Sequence, residues 1–316
     1  MTALEYYMNT KLSLLAASIA VALSTGVAQA EGPIDGKIYG KVNLSLESID
    51  EGTVRRVTQL KNNASRLGFK GKTAIENDMS VIYQLEYEAN PDSGSHKGHT
   101  FTQRNSFVGI KGNFGTVFAG IHDTPTKKAQ GKIDLFNDLE GDLKHVFNGE
   151  NRAKNTVYYK APKMGGLSAD IAYVASEKPT VDDGVSAAGM YKQDNLYAAI
   201  GYDNNVEGEG IDTLRLVSQY KIDAFKLGAM WQQKKEKLVN NKDGFLVSAA
   251  YTMASNTFKL QYAASDIKAK GGTEASVGVD HKLAKKTKLF AFYTKINADA
   301  ANSKKNYFGV GLEHKF

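Results

Sequence analysis

The stretch NYFGVGLEHKF, Asn306 to Phe316, alternates without a slip. Phe308, Val310, Leu312, His314 and Phe316 share one parity, and Tyr307, Gly309, Gly311, Glu313 and Lys315 share the other. A strand points successive side chains to opposite faces, so this segment has one greasy face and one polar face. The first suits lipid and the second suits water.

The same grammar recurs upstream from about residue 35. Over residues 36–46, Ile38, Val42 and Leu44 alternate with Lys37, Tyr39, Lys41 and Asn43. Leu67 and Phe69 alternate with Arg66, Lys70 and Lys72 over residues 65–72. Phe225, Leu227, Ala229 and Trp231 alternate with Lys226, Gly228, Met230 and Gln232; Phe258, Leu260, Tyr262 and Ala264 alternate with Lys259, Gln261 and Ala263. Strict alternation marks strands with one apolar face. We count sixteen such segments, about one every eighteen residues.

Connections alternate in length as well. Short turns at 112–115, 192–195, 221–224 and 253–256 take turns with long polar loops at 49–64, 90–100, 176–184, 203–210 and 234–242. Short on one rim and long on the other is the construction of outer-membrane barrels. Tyr39, Tyr87, Tyr159, Tyr173, Tyr202, Tyr220, Tyr251 and Tyr293 lie near segment ends, as an aromatic girdle at the headgroup level requires. In hydrocarbon every backbone polar group must be paired internally, which demands a closed sheet. Sixteen strands enclose more space than side chains fill, and an aqueous channel remains. The expected fold is therefore all-β: a 16-stranded antiparallel transmembrane β-barrel.

Composition agrees. Lys11, an apolar run over 12–27 and Ala28-Gln29-Ala30 read as a signal peptide at 1–30, leaving a barrel domain at 31–316. Nothing else approaches the roughly twenty apolar residues of a spanning helix. The 316 residues contain no Cys, so an exported chain has no disulfide framework. A formal charge of +6 without a basic block gives no nucleic-acid footprint.

One connection is far longer than the rest: DTPTKKAQGKIDLFNDLEGDLKHVFNGE, residues 123–150. Loops of this length are usually functional or disordered. Ile133, Leu135, Phe136, Leu139, Leu143, Val146 and Phe147 give it groups to bury, so we expect it to fold into the channel. Asp134, Asp138, Glu140 and Asp142 form its acidic run, with Asp134, Asp138 and Asp142 on one face if a short helix forms. Facing it, Lys41, Arg66, Arg104 and Arg152 take water-facing parity on early strands. A basic wall opposite an acidic loop sets a field across the pore. The wall favours anions, the loop favours cations, and net charge does not choose.

At these residues the chain resembles the general porins of Gram-negative outer membranes. The shared stretches are Tyr39-Gly40-Lys41, SRLGFKG at 65–71, FVGIKGNFGTVFAGIHDTP at 107–125, NTVYY at 155–159 before Ala161-Pro162, and the Gly-Leu-x-His-x-Phe ending. The resemblance implies a homotrimer of sixteen-stranded barrels in outer-membrane lipid and lipopolysaccharide, each with a third loop folded inward as an eyelet. It implies basic-wall roles for Arg66, Arg104 and Arg152, and an acidic role for the 134–142 run. Ile121 stands where many relatives carry a basic residue.

The function expected is passive diffusion of small hydrophilic solutes and ions, with no cofactor. Two other functions compete. A substrate-selective channel tends to carry lumenal aromatics, for which Tyr39, Tyr158 and Phe290 are the candidates. An outer-membrane enzyme needs a nucleophile with a base and an orienting group. His96, His99, His122, His145, His281 and His314 fall in no nucleophile motif, and no metal site is readable around His96 and His99.

Overall fold

The computed structural model describes residues 35–52, 55–95, 98–299 and 304–316. The expected leader at 1–30 and His96 lie outside them. Eighteen strand segments run from Asp35–Asp50 to Lys305–Lys315, and all neighbours pair antiparallel. Two staves are each broken once. Val57–Asn62 and Arg66–Ile75 both pair with Asp35–Asp50, and Phe101–Gln103 and Ser106–Gly112 both pair with Met79–Ala89. Sixteen staves result. Lys41 opposite Lys315 through Asp50 opposite Asn306 join first to last, which closes the barrel and removes the sheet edge.

Parity follows the polarity of the sequence. Phe308, Val310 and Leu312 are 53, 43 and 45% exposed on the outer surface, while Tyr307 and Glu313 are 5 and 8% exposed within. In a soluble protein such a band of exposed large apolar residues signals a binding face. Here it runs around the whole barrel and is the lipid surface. Aromatics mark two levels of it. Phe225, Tyr251 and Phe258 stand abreast near the short turns, and Tyr293 and Phe308 stand abreast towards the opposite rim. Tyr39 is no part of this girdle: it faces inward and donates its hydroxyl to Glu86 at 2.9 Å.

Strands run further than their side chains advertise. Residues 49–64, expected as one loop, hold strand to Asp50 and again from Val57 to Asn62. Val57, Thr58, Gln59 and Leu60 are all exposed, so this segment has no apolar–polar alternation to read. Main-chain pairing to residues 44–49 makes it a strand regardless. The loop expected at 234–242 likewise shrinks, because strands extend to Glu236 and resume at Lys242.

The connection 124–151 is ordered. Thr124 accepts from the Lys127 amide, Pro125 takes the first helical turn, and a short helix spans Pro125–Ala129. A 3₁₀ turn spans Leu143–His145. The acidic run between them is not helical, contrary to the shared-face expectation. Asp134 accepts from the amides of Phe136 and Leu143 at 2.9 and 3.0 Å, and Asp142 accepts from those of Asp138 and Lys144 at 2.9 and 3.0 Å. Short carboxylates that capture nearby amides compete with the helix ladder. Asp138 itself sits at φ 69°.

Its apolar side chains pack on inward-facing wall residues. Ile133, Leu143, Val146 and Phe147 cluster with Val217, Met230, Leu246 and Ala263, and Phe136 and Leu139 cluster with Phe290, Phe292 and Tyr307. Ile133, Phe136, Leu143 and Phe147 are fully buried, each contributing about 2 kcal/mol of hydrophobic stabilisation. Gly228 permits the approach: a Cβ there would lie 3.0 Å from Ile133 Cγ1.

Candidate functional site: a charged lumen

Inward parity gathers charged side chains from many staves around the tip of the long connection. Asp138 Oδ2 accepts from Lys41 Nζ at 2.7 Å and from Arg66 Nη2 at 2.9 Å. Burial alone raises a carboxyl pKa, but Lys41 and Arg66 outweigh it and hold Asp138 below its ordinary value. Arg104 donates to Glu86 from Nε and to Glu88 from Nη1, both at 2.8 Å. Arg152 Nε lies 3.0 Å from Asp123 Oδ1, which Lys127 Nζ also approaches at 3.2 Å.

The expected basic residues are thus all inward, yet only Lys41 and Arg66 meet the acidic run. Arg104 and Arg152 are paired to carboxylates on the wall itself. The acidic residues divide in the same way. Asp138 meets the wall, Glu140 pairs with Lys61, and Asp134 and Asp142 hold the connection's own backbone. Burial, then the nearby Asp142, pushes the Asp134 carboxyl well above its ordinary pKa. Ile121 stands opposite Ser106 of the neighbouring strand, and beside it His122 packs against Phe107, Phe118 and Tyr158. Tyr158 and Phe290 face inward but are buried, as members of packed clusters.

Several charged residues escaped the sequence analysis. Glu86 and Glu88 alternate with Leu85 and Tyr87, and that parity was legible. Lys259 and Lys288 meet at Asp280, at 2.8 and 2.9 Å. Arg215, fully buried, holds Glu150 at 2.7 Å and the Asn148 carbonyl at 2.8 Å, anchoring the far end of the connection. Its pairing with a residue 65 positions earlier leaves no local signal.

Two cavities flank Asp138 and Arg66. One, about 550 Å³, is lined by seven Lys or Arg and five Asp or Glu residues, among them Lys61, Arg104, Lys127, Arg152 and Glu150. The other, about 1160 Å³, has eight Lys or Arg and six Asp or Glu residues, among them Lys41, Lys226, Lys259, Asp280 and Lys288. Both carry excess cation, and Asp138 and Arg66 line both. Among the described residues no group of three or more His, Asp or Glu side chains is placed to hold a metal ion.

A closed barrel with an apolar outside and charged cavities within defines a membrane channel. The family model for Gram-negative porins matches residues 16–301, and the chain belongs to that family. Major outer membrane protein P.IB of Neisseria meningitidis serogroup B is 25% identical, over 94% of this chain and 98% of its own length. Its counterpart from Neisseria lactamica is 24% identical over the same shares. Among solved structures, the anion-selective porin from Comamonas acidovorans superposes with a TM-score of 0.74 at 22% identity, covering 90% of this chain and all of that one. Salmonella typhi OmpF in complex with daunomycin gives 0.73 at 18%, covering 90 and 98%. The protein is an outer-membrane porin, a water-filled channel for passive diffusion of small hydrophilic solutes and ions.

Proposed function

We propose that residues 124–151 form the constriction of this channel and that the lumen prefers anions. Asp138 carries the first part: an acidic group of the connection touches Lys41 and Arg66, which come from two different staves. Solutes then pass between the remaining wall and the connection. The cationic excess in both cavities supports the second part, because a low-dielectric wall focuses the field of a net charge into the water it encloses. The relative described as anion-selective has the same fold.

Lys41, Arg66, Arg104 and Arg152 are the basic wall in this proposal, and Asp138 is the acidic residue that meets it. Asp134 and Asp142 set the shape of the connection, and Glu140 ties it to Lys61 on the wall. The working unit is a homotrimer in outer-membrane lipid and lipopolysaccharide, each barrel with its own pore, exported by a leader at 1–30. No catalytic step is included. His314 shares a hydrogen bond with Thr287 on the outer surface, and His145 has a carboxylate near each ring nitrogen. Neither arrangement supplies a nucleophile with a base and an orienting group.

Planar-bilayer recording tests the proposal. Purified protein is expected to insert with current steps in threes and to show a reversal potential of anionic sign in a salt gradient. Independent single steps, or a cationic sign, contradict the trimer or the preference respectively. Saturable flux of one solute would favour the substrate-selective channel instead.

A further inference from the structure

The contacts around Asp138 belong to a longer row. Lys315 lies 3.0 Å from Glu313, and Glu313 lies 3.7 Å from Lys41. Lys41 and Arg66 share Asp138 at 2.7 and 2.9 Å. Arg66 stands 4.0 Å from Glu86, which holds Arg104 at 2.8 Å, and Arg104 ends the row on Glu88 at 2.8 Å. Cation and carboxylate alternate throughout, four of each, so the row is formally neutral. Alternating charges a few ångströms apart cancel beyond their own spacing, and salt screens the remainder within about 8 Å. A solute in the lumen therefore meets little net charge from Arg66 and Arg104.

Two other groups do not cancel. Arg152, Asp123 and Lys127 combine two cations with one carboxylate, and so do Lys259, Asp280 and Lys288. The first lines the 550 Å³ cavity and the second lines the 1160 Å³ cavity. Lys226 adds to the second and donates to the neutral carbonyl of Lys132. Lys288 also stands opposite Glu313, so the row and the second group share that carboxylate, yet together they still hold one more cation than carboxylates, as the first group does alone.

We infer that Glu86 is a specificity-determining residue of this channel, cancelling the arginine wall so that anion preference comes from the Arg152–Lys127 and Lys259–Lys288 groups. The inference rests on the anion-preferring lumen proposed above and names the residues that set it. Glu86 suits the role by position. Glu86 is 7% exposed, and its carboxylate takes Arg104 Nε on one oxygen and the Tyr39 hydroxyl on the other. It is held in one place between two guanidiniums; a Gln there keeps the Arg104 bond on its oxygen and donates its amide to the Tyr39 oxygen in place of the bond it accepted, which removes the charge. Without it the row has one uncompensated cation, and the positive potential of the two groups is no longer interrupted by a neutral row.

The test is the anion-to-cation permeability ratio, from reversal potentials of single channels in a KCl gradient. Glu86→Gln is expected to raise the ratio about two-fold or more. Lys288→Gln, which turns a two-to-one group into a one-to-one pair, is expected to lower it by a similar factor. An unchanged or lower ratio in Glu86→Gln overturns the inference, as does an unchanged ratio in Lys288→Gln. If Glu86→Gln fails to assemble, Glu88→Gln at the more open end of the row removes the same charge and must also raise the ratio. Wild-type protein that conducts with cationic preference defeats the lumen reading instead, which separates the two failures.

Discussion

Asp138 and Arg66 are 72 positions apart in sequence and 2.9 Å apart in space, one on the long connection and the other on the barrel wall. Lys41 reaches the same carboxylate oxygen. Asp138→Asn leaves both cations without an ionised partner on the connection. We expect a higher anion-to-cation permeability ratio and altered conductance, read from single-channel recording. An unchanged ratio would place Asp138 away from the path of ions.

Arg66→Gln and Arg104→Gln each remove one cation from a balanced row, leaving a carboxylate in excess. The reversal potential should move towards cations in both. An effect much smaller for Arg104 than for Arg66 would show that its carboxylates, Glu86 and Glu88, lie outside the conducting water.

Phe136 docks the connection on Phe290 and Phe292. Phe136→Ala removes a fully buried ring, a change that costs about 3–5 kcal/mol in a packed core. The connection should then detach more often than the barrel opens. Faster amide exchange over residues 133–147, with the strands still protected, is the expected pattern. Uniform loss of protection would mean that the connection and barrel unfold together.

His145 makes docking depend on pH. Burial first, and Lys144 next, bring its pKa down to about 4, with Lys61 and Lys268 adding to the effect against Asp142. Glu140 and Glu274 face its two nitrogens at 3.8 and 3.6 Å. The docked form thus favours neutral imidazole. The undocked form, with an ordinary value near 6.5, takes up a proton first. Linkage then makes this stabilisation of docking full above about pH 6.5 and lost progressively down to about pH 4. Exchange over residues 140–148 should accelerate across that window, and His145→Gln should flatten the dependence. A window that persists in the variant would assign it to another group.

Much of the barrel was legible in the sequence because lipid and water impose a period of two. Residues 306–316 show both faces without ambiguity, and Lys41, Arg66, Arg104 and Arg152 all have the inward parity read from it. The period fails where both faces are wet, as at Val57–Asn62, and there only main-chain pairing makes the strand. Charge pairing was less legible. Sequence shows that Asp138 is acidic and Arg66 basic, but not that Glu86 stands between Arg66 and Arg104. The non-helical course of residues 134–142 depends on which amides Asp134 and Asp142 capture, a matter of local competition that spacing does not decide.

The chain has no native cysteine, so single introduced ones can be read without background. Placed one at a time at 308, 310, 312, 313 and 315 in reconstituted protein, they test the two-faced wall directly. Cysteines at 313 and 315, which line the larger cavity, should react with a charged, water-soluble thiol reagent and reduce the current. Those at 308, 310 and 312 should resist it and, once carrying a fluorophore, be quenched by nitroxide on acyl chains. Equal reactivity along the stretch, or the opposite alternation, would contradict the account.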